Sequence, residues 1–319
     1  MSPKPFLWIP VPQQAPRKQA PVGLEVFRNL TGRLDLSLVV ESAYFYVGSG
    51  AYEYKAGARP NEPEVWHTFA RREGQLCIPG TSLKGAIRAF VELLSNSCVS
   101  QAGRQEFVPM SHKQCPESAG EICVACSLFG RTGWRGRIHF ADATPAAEVR
   151  TQIVKINELW APRRTQGRKF YSGNQYKPLS NLQPERNHRF VEAVTKGGRF
   201  NTAIFFENVR AEELGLVCCA LGWDVGDKGT LVTAYYPKIG GAKPRCFGMV
   251  RFASPVVNLW GVSSGSLLPS RTQKTGKDAL DYIAQCIAAC KKNGPLVLDA
   301  WKRLVEGLRA GTACPEGLY

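Results

Sequence analysis

The strongest constraint on this chain is the order in which its hydrophobic periodicities change. Residues 33–47 (RLDLSLVVESAYFYV) place apolar side chains at Leu34, Leu36, Leu38 and Val40, the two-residue period of a half-buried strand. After Pro79-Gly80, Thr81 or Ser82 can cap a helix whose apolar positions are Leu83, Ile87, Phe90, Val91 and Leu94. Arg137 to Phe140 reads as a strand and 203–209 (AIFFENV) as another. Ala211 to Leu221 reads as a short helix, with Glu212 and Glu213 suited to its positive end. Residues 229–236 and 248–252 read as further strands around a glycine-rich turn. Without insertions, the order up to 252 is strand, helix, strand, strand, helix, strand, strand. This predicts an α+β fold close to a ferredoxin-like βαββαβ unit, the topology of RNA-recognition domains.

The remaining segments are additions to that unit at 22–252. Prolines at 3, 5, 10, 12 and 16 exclude a helix from residues 1–21, leaving a disordered tail or an extended arm. Phe6, Leu7, Trp8 and Ile9 favour an arm that docks on a partner. Residues 51–75 read as a long polar loop, 98–135 as a loop-rich insertion, and 150–200 as a projecting hairpin. Beyond 252 a C-terminal extension to 319, mainly helical, contains helices at about 278–292 and from Pro295 to about Arg309.

Charge narrows the function. The 319 residues hold 41 Lys+Arg against 26 Asp+Glu, a net +15. Alone, that excess fits either solubility or a polyanionic partner. No apolar run reaches about 18 residues, and the N-terminus lacks a signal-peptide pattern, so a cytoplasmic protein with no membrane partner is expected.

Three constellations could carry chemistry. Gly80, Thr81, Ser82, Lys84 and Arg88 start a helix where backbone N–H groups, the helix dipole and two cations four apart suit a phosphate. An ordinary capped helix is the competing reading. Gly240, Gly241, Lys243 and Arg245 suit a backbone passing close to phosphates, or a plain hairpin turn. The basic hairpin adds Arg163, Arg164, Arg168 and Lys169 beside Phe170, Tyr171 and Tyr176. The third constellation is His112-x2-Cys115-x7-Cys123-x2-Cys126, four N/S ligands spaced for a structural Zn2+, with Cys98 as a rival for His112. No G-x-S-x-G or H-E-x-x-H motif accompanies them.

Several phrases, taken in order, resemble one family: IPGTSLKGAIR (78–88), SLFG (127–130), GRIHFADA (136–143), RFVEAVTKGGRFNTAIFFENV (189–209) and KIGGAKPRCFGMVRF (238–252). Together they are similar to the RAMP superfamily of CRISPR-Cas proteins, in particular backbone-type subunits of type III effector complexes. The His/Cys knuckle resembles the zinc-binding insertion of type III-D and III-E members. The resemblance implies a modified RNA-recognition fold with a β-hairpin thumb. Such a subunit stacks with other effector subunits on a CRISPR guide RNA and splays the guide–target duplex. Slicing members carry an aspartate in the loop before the Ile-Pro-Gly turn. Here residues 47–77 hold Glu53, Glu62, Glu64, Glu73 and His67 but no Asp, and Asp35 lies too early. The resemblance therefore implies a non-cleaving RNA-binding subunit. A metal-dependent slicer or a CRISPR-RNA processing endoribonuclease is the alternative.

Overall fold

The computed structural model describes residues 5–59, 62–100, 108–159, 167–179, 181, 183–261 and 270–314. Its main sheet runs in the order Ile138–Phe140, Arg199–Val209, Leu30–Val40, Val250–Gly261, Ser270–Lys274, with Thr144–Pro145 also on Arg199–Val209. Every pairing in it is antiparallel. Helix α1 (Gly80–Leu94) lies between the strands Leu30–Val40 and Ile138–Phe140 in sequence. A short helix α2 (Val124–Phe129) follows the cysteine-rich insertion, and α3 (Ala211–Ala220) precedes Val250–Gly261. Two further helices, α4 (Gly276–Asn293) and α5 (Leu298–Ala310), follow, and the strand Thr312–Ala313 after them pairs in parallel with Gly173–Gln175.

The strand alternation sorts the sheet's faces. Leu34, Leu36, Leu38 and Val40 bury into one core with Leu83, Ile87, Val91 and Leu94 of α1 and Leu214 and Val217 of α3. The four α1 side chains alone contribute on the order of 6–12 kcal/mol of gross burial free energy, far more than any cap. The opposite face is polar and knit to itself. Arg33 pairs with Asp35 at 2.6 Å, and Asn258 donates to Asp35 while accepting from Arg271 and Gln273.

A second sheet departs from expectation. Thr151–Asn157 and His188–Thr195 pair antiparallel, as a hairpin requires. They do not stand free, because Val65–Phe69 adds in parallel to His188–Thr195, and Gly48–Tyr54 pairs antiparallel with Val65–Phe69. The segment that reads as a loop therefore holds two strands of this sheet, and at its end Arg71–Arg72 pairs antiparallel with Gln75–Leu76. All seven residues of Gly48–Tyr54 are exposed, so backbone hydrogen bonds hold the strand without an apolar face to announce it.

The N-terminal arm docks on its own chain. Phe6–Ile9 pairs with Arg168–Tyr171, and Lys18–Gln19 pairs with Ile122–Cys123. The ammonium of Lys169 sits 4.0 Å from the Phe6 ring centroid and 5.7 Å from that of Trp8. The strand Val250–Gly261 runs through position 252. Its register shifts between Ala253 and Val256, with Ser254 at positive φ, so Pro255 sits in a bulge and the strand continues.

Candidate nucleic-acid surface and metal centre

At the start of α1, glycine is required by internal packing. A Cβ on Gly80 would lie 2.2 Å from the carbonyl oxygen of Phe140. The Gly80 N–H donates to Asp142 Oδ1 at 2.7 Å, and Arg72 holds the other oxygen at 2.8 Å. Asp142 thus provides an anion at this helix end from within the chain. Thr81 is exposed; Ser82 and Lys84 are half-buried. Burial, and then the Arg88 charge, push the Lys84 amine below its ordinary range. Arg88 turns inward, donating to Glu92 at 2.8 Å, to the Gly130 carbonyl at 2.6 Å and to Cys126 Sγ at 3.6 Å.

The glycine pair is also pressed against the chain's own backbone. Gly240 has φ of 82°, and a Cβ there would stand 2.3 Å from the Tyr46 carbonyl oxygen. The Gly241 N–H donates to that oxygen at 2.7 Å. Lys243 is half-buried, and Arg245 is buried, donating to the Glu158 carbonyl at 3.3 Å. Arg163 and Arg164 lie outside the described residues. Arg168 is buried, and Lys169 faces the aromatic rings of the arm. Arg88, Arg168 and Arg245 are therefore internal groups, a correction to the cationic surface predicted from sequence. Guanidinium forks satisfy several carbonyls at once, so position along the chain does not reveal which way an arginine points.

The second sheet carries an aromatic and basic patch that the sequence did not single out. Tyr52 and Tyr54 are 64% and 68% exposed. The Tyr52 ring packs on His67, centroids 4.4 Å apart. Beside them a cavity of about 220 Å3 is lined by Trp66, His67, His188, Arg189, Phe190 and Glu185, among others. Burial, and then the Arg189 charge, lower the His67 pKa. The Tyr-Glu-Tyr alternation at 52–54 was the available signal.

The cysteines converge. Cys98, Cys115, Cys123 and Cys126 are all buried, with their sulfurs within 4.8 Å of one another. Tetrahedral zinc with about 2.3 Å bonds to sulfur has S–S edges of roughly 3.8 Å. Cys98 Sγ lies 3.4 Å from Cys126 Sγ and 3.5 Å from Cys123 Sγ. Hydrogen bonds from Cys115, Cys126 and Cys98 push Cys123 down toward the thiolate. Four soft, buried sulfurs at this spacing fit a zinc-type ion. The fourth member of the cluster is Cys98, where the sequence spacing offered His112. His112 Nε2 is taken by Asn96 Oδ1 at 2.9 Å, and Nδ1 by Ser111 Oγ at 3.0 Å. Cys98 is delivered by the turn that ends α1, which the linear knuckle spacing does not show. The remaining described cysteines are buried thiols, apart from Cys246, which forms a disulfide with Cys314. No helix among the described residues is long and apolar enough to cross a membrane.

The model of the RAMP superfamily matches residues 40–251, more than half of the chain, and the chain belongs to that superfamily. No curated protein matches the sequence. Among solved structures, a cryo-EM structure of the Type III-B Cmr-beta bound to cognate target RNA is similar at a TM-score of 0.39 and 13% identity. The match covers 72% of this chain and 61% of that one, a likeness too slight to bear on fold or function.

Proposed function

We propose that this chain is an RNA-binding subunit of a type III CRISPR effector ribonucleoprotein, contacting the guide backbone and splaying the guide–target duplex. Membership of the RAMP superfamily over residues 40–251 carries the reading. Three features support it. The strand order of the main sheet follows a ferredoxin-like βαββαβ unit, as in RNA-recognition folds. The net +15 favours a polyanion. Tyr52, Tyr54 and His67 offer ring faces on which unpaired bases stack. The cationic contacts are Lys84, Lys243 and Arg189, with Thr81, Ser82, Gly240 and Gly241 beside them. Sequence specificity then belongs to base pairing. Other effector subunits and the complementary target RNA are the remaining partners. The four-cysteine centre holds structural Zn2+, and about one zinc per chain after gentle purification is the expected result.

The subunit does not cleave in this reading, because residues 47–77 contain no Asp. The cavity that brings His67, His188 and Glu185 together favours an endoribonuclease as the second reading. Incubation of the reconstituted complex with guide-paired target RNA separates the two. Intact target supports the first reading. Cleavage lost in His67→Ala or His188→Ala supports the second.

A further inference from the structure

Among the described residues Arg168 has an unusual environment. It is 6% exposed, and its Nε and Nη1 have no hydrogen-bond acceptor. Nη2 donates to the Ser97 carbonyl, one residue before Cys98. The anionic groups acting on it are Glu92, Cys98 and Cys123. Glu92 is already engaged, accepting from Arg88 Nε at 2.8 Å, from the Ser100 N–H at 3.3 Å and from the Ser100 hydroxyl. A buried guanidinium without an anion of its own is strongly destabilising. A divalent ion held by four thiolates would carry a net charge of −2, a counter-charge for that guanidinium.

We propose that Arg168 is the internal counter-cation of a metal tetrathiolate at Cys98, Cys115, Cys123 and Cys126, a positioning residue that ties the metal to the N-terminal arm. The proposal rests on the structural-metal reading above. Arg88 is the second cation at the centre, its Nη2 3.6 Å from Cys126 Sγ. Arg168 also pairs in register with Ile9, at one end of the arm strand. Lys18 pairs with Cys123 itself. The arm therefore meets the centre at two points, once through the counter-cation and once through a ligand's own backbone. Metal binding fixes both, and loss of the metal removes the tetrathiolate charge from beside Arg168 and weakens both strand pairings. Outer-shell partners of metal ligands are worth 10–100-fold in metal affinity.

The test uses the full-length, zinc-loaded protein. Zinc content, the rate of zinc transfer to a chromogenic chelator and tryptic cleavage after Arg17 or Lys18 are compared for wild type, Arg168→Lys and Arg168→Met. The expected result is zinc release at least tenfold faster in Arg168→Met, a smaller increase in Arg168→Lys, and arm cleavage that accelerates in step with metal loss. A folded Arg168→Met protein that keeps about one zinc and releases it within twofold of wild type overturns the proposal and leaves the metal reading standing. Wild type without bound zinc overturns both. If Arg168→Met does not fold, wild type labelled with 15N-arginine decides. Exchange of zinc for cadmium should shift the Arg168 guanidinium resonances, and unshifted resonances overturn the proposal.

Discussion

Glu213 and Arg137 form an ion pair whose removal has a calculable cost. The side chains are 0% and 1% exposed, and the guanidinium contacts the two carboxylate oxygens at 2.9 and 3.0 Å. Arg137 also donates to the Asn208 carbonyl at 2.8 Å and to the Ser127 hydroxyl at 2.9 Å, while Glu213 accepts the Arg210 N–H at 2.9 Å. The pair thus joins the first turn of α3 to the strand Ile138–Phe140 and to α2. Glu213→Gln leaves a buried guanidinium without its counter-charge, at a cost of about 3–5 kcal/mol. A whole domain is stable by roughly 5–15 kcal/mol, so this is a large fraction. With about 2.1 cal/mol/K per residue, unfolding entropy for a chain of this length is roughly 0.7 kcal/mol/K, and a 4 kcal/mol loss lowers Tm by about 6 °C. The double variant Arg137→Met/Glu213→Leu removes both charges and should recover at least half of the loss. The pH profile adds a sign. Burial raises the Glu213 pKa, but hydrogen bonding and charge from Arg137 outweigh it, and the net shift is downward. Stability from this group is therefore present above the unfolded carboxylate pKa of about 4.3 and is lost as pH falls through the lower folded value. Urea unfolding checks both statements. A Glu213→Gln loss below about 1 kcal/mol, or a double variant as unstable as the sum of the singles, would refute the reasoning.

Other outcomes follow from the same geometry. Cys98→Ser should lose the metal and His112→Ala should retain it, as read by metal analysis; the reverse pattern would return His112 to the ligand set. Burial, and then the Lys243 charge, push the Lys238 amine down to about 7. Between that value and its ordinary range near 10.5 the unfolded chain binds more protons, so stability rises with pH across this window. Lys238→Met should stabilise the protein at pH 7 and flatten the rise toward pH 10; unchanged urea midpoints at both values would contradict this. Tyr52→Ala should weaken single-stranded RNA binding by about 1–3 kcal/mol if a base stacks on that ring, without changing the salt slope.

Much of the main sheet was legible because its strands bury one face. Leu34, Leu36 and Leu38 alternate with polar partners, and Leu83, Ile87 and Val91 keep a helical stripe, so periodicity gave element type and order. The second sheet was hidden for the opposite reason. Gly48–Tyr54 has no buried side chain and is held by pairing to Val65–Phe69, a contact between residues that each look like loop. The four-cysteine cluster was half legible. Cys123 and Cys126 form a local knuckle, whereas Cys98 reaches it only because α1 ends beside α2. The direction of arginines was not legible at all. Arg88 and Lys84 share a helix face by spacing, yet one donates into Glu92 and Gly130 and the other remains half-exposed. The same holds for the arm, whose Phe6 and Trp8 meet Lys169 within the chain, where the sequence suggested an external partner.

The central claim is that this RAMP protein binds RNA through a cationic, sequence-tolerant surface. Filter binding of the purified protein to CRISPR-repeat RNA across a salt series tests it most directly. The account predicts tight binding at low salt, an affinity falling linearly in log–log form with several units of slope, and a slope reduced by about one in Lys84→Glu. Affinity no better than about 10⁻⁴ M, or an affinity indifferent to salt and to Lys84→Glu, would contradict it.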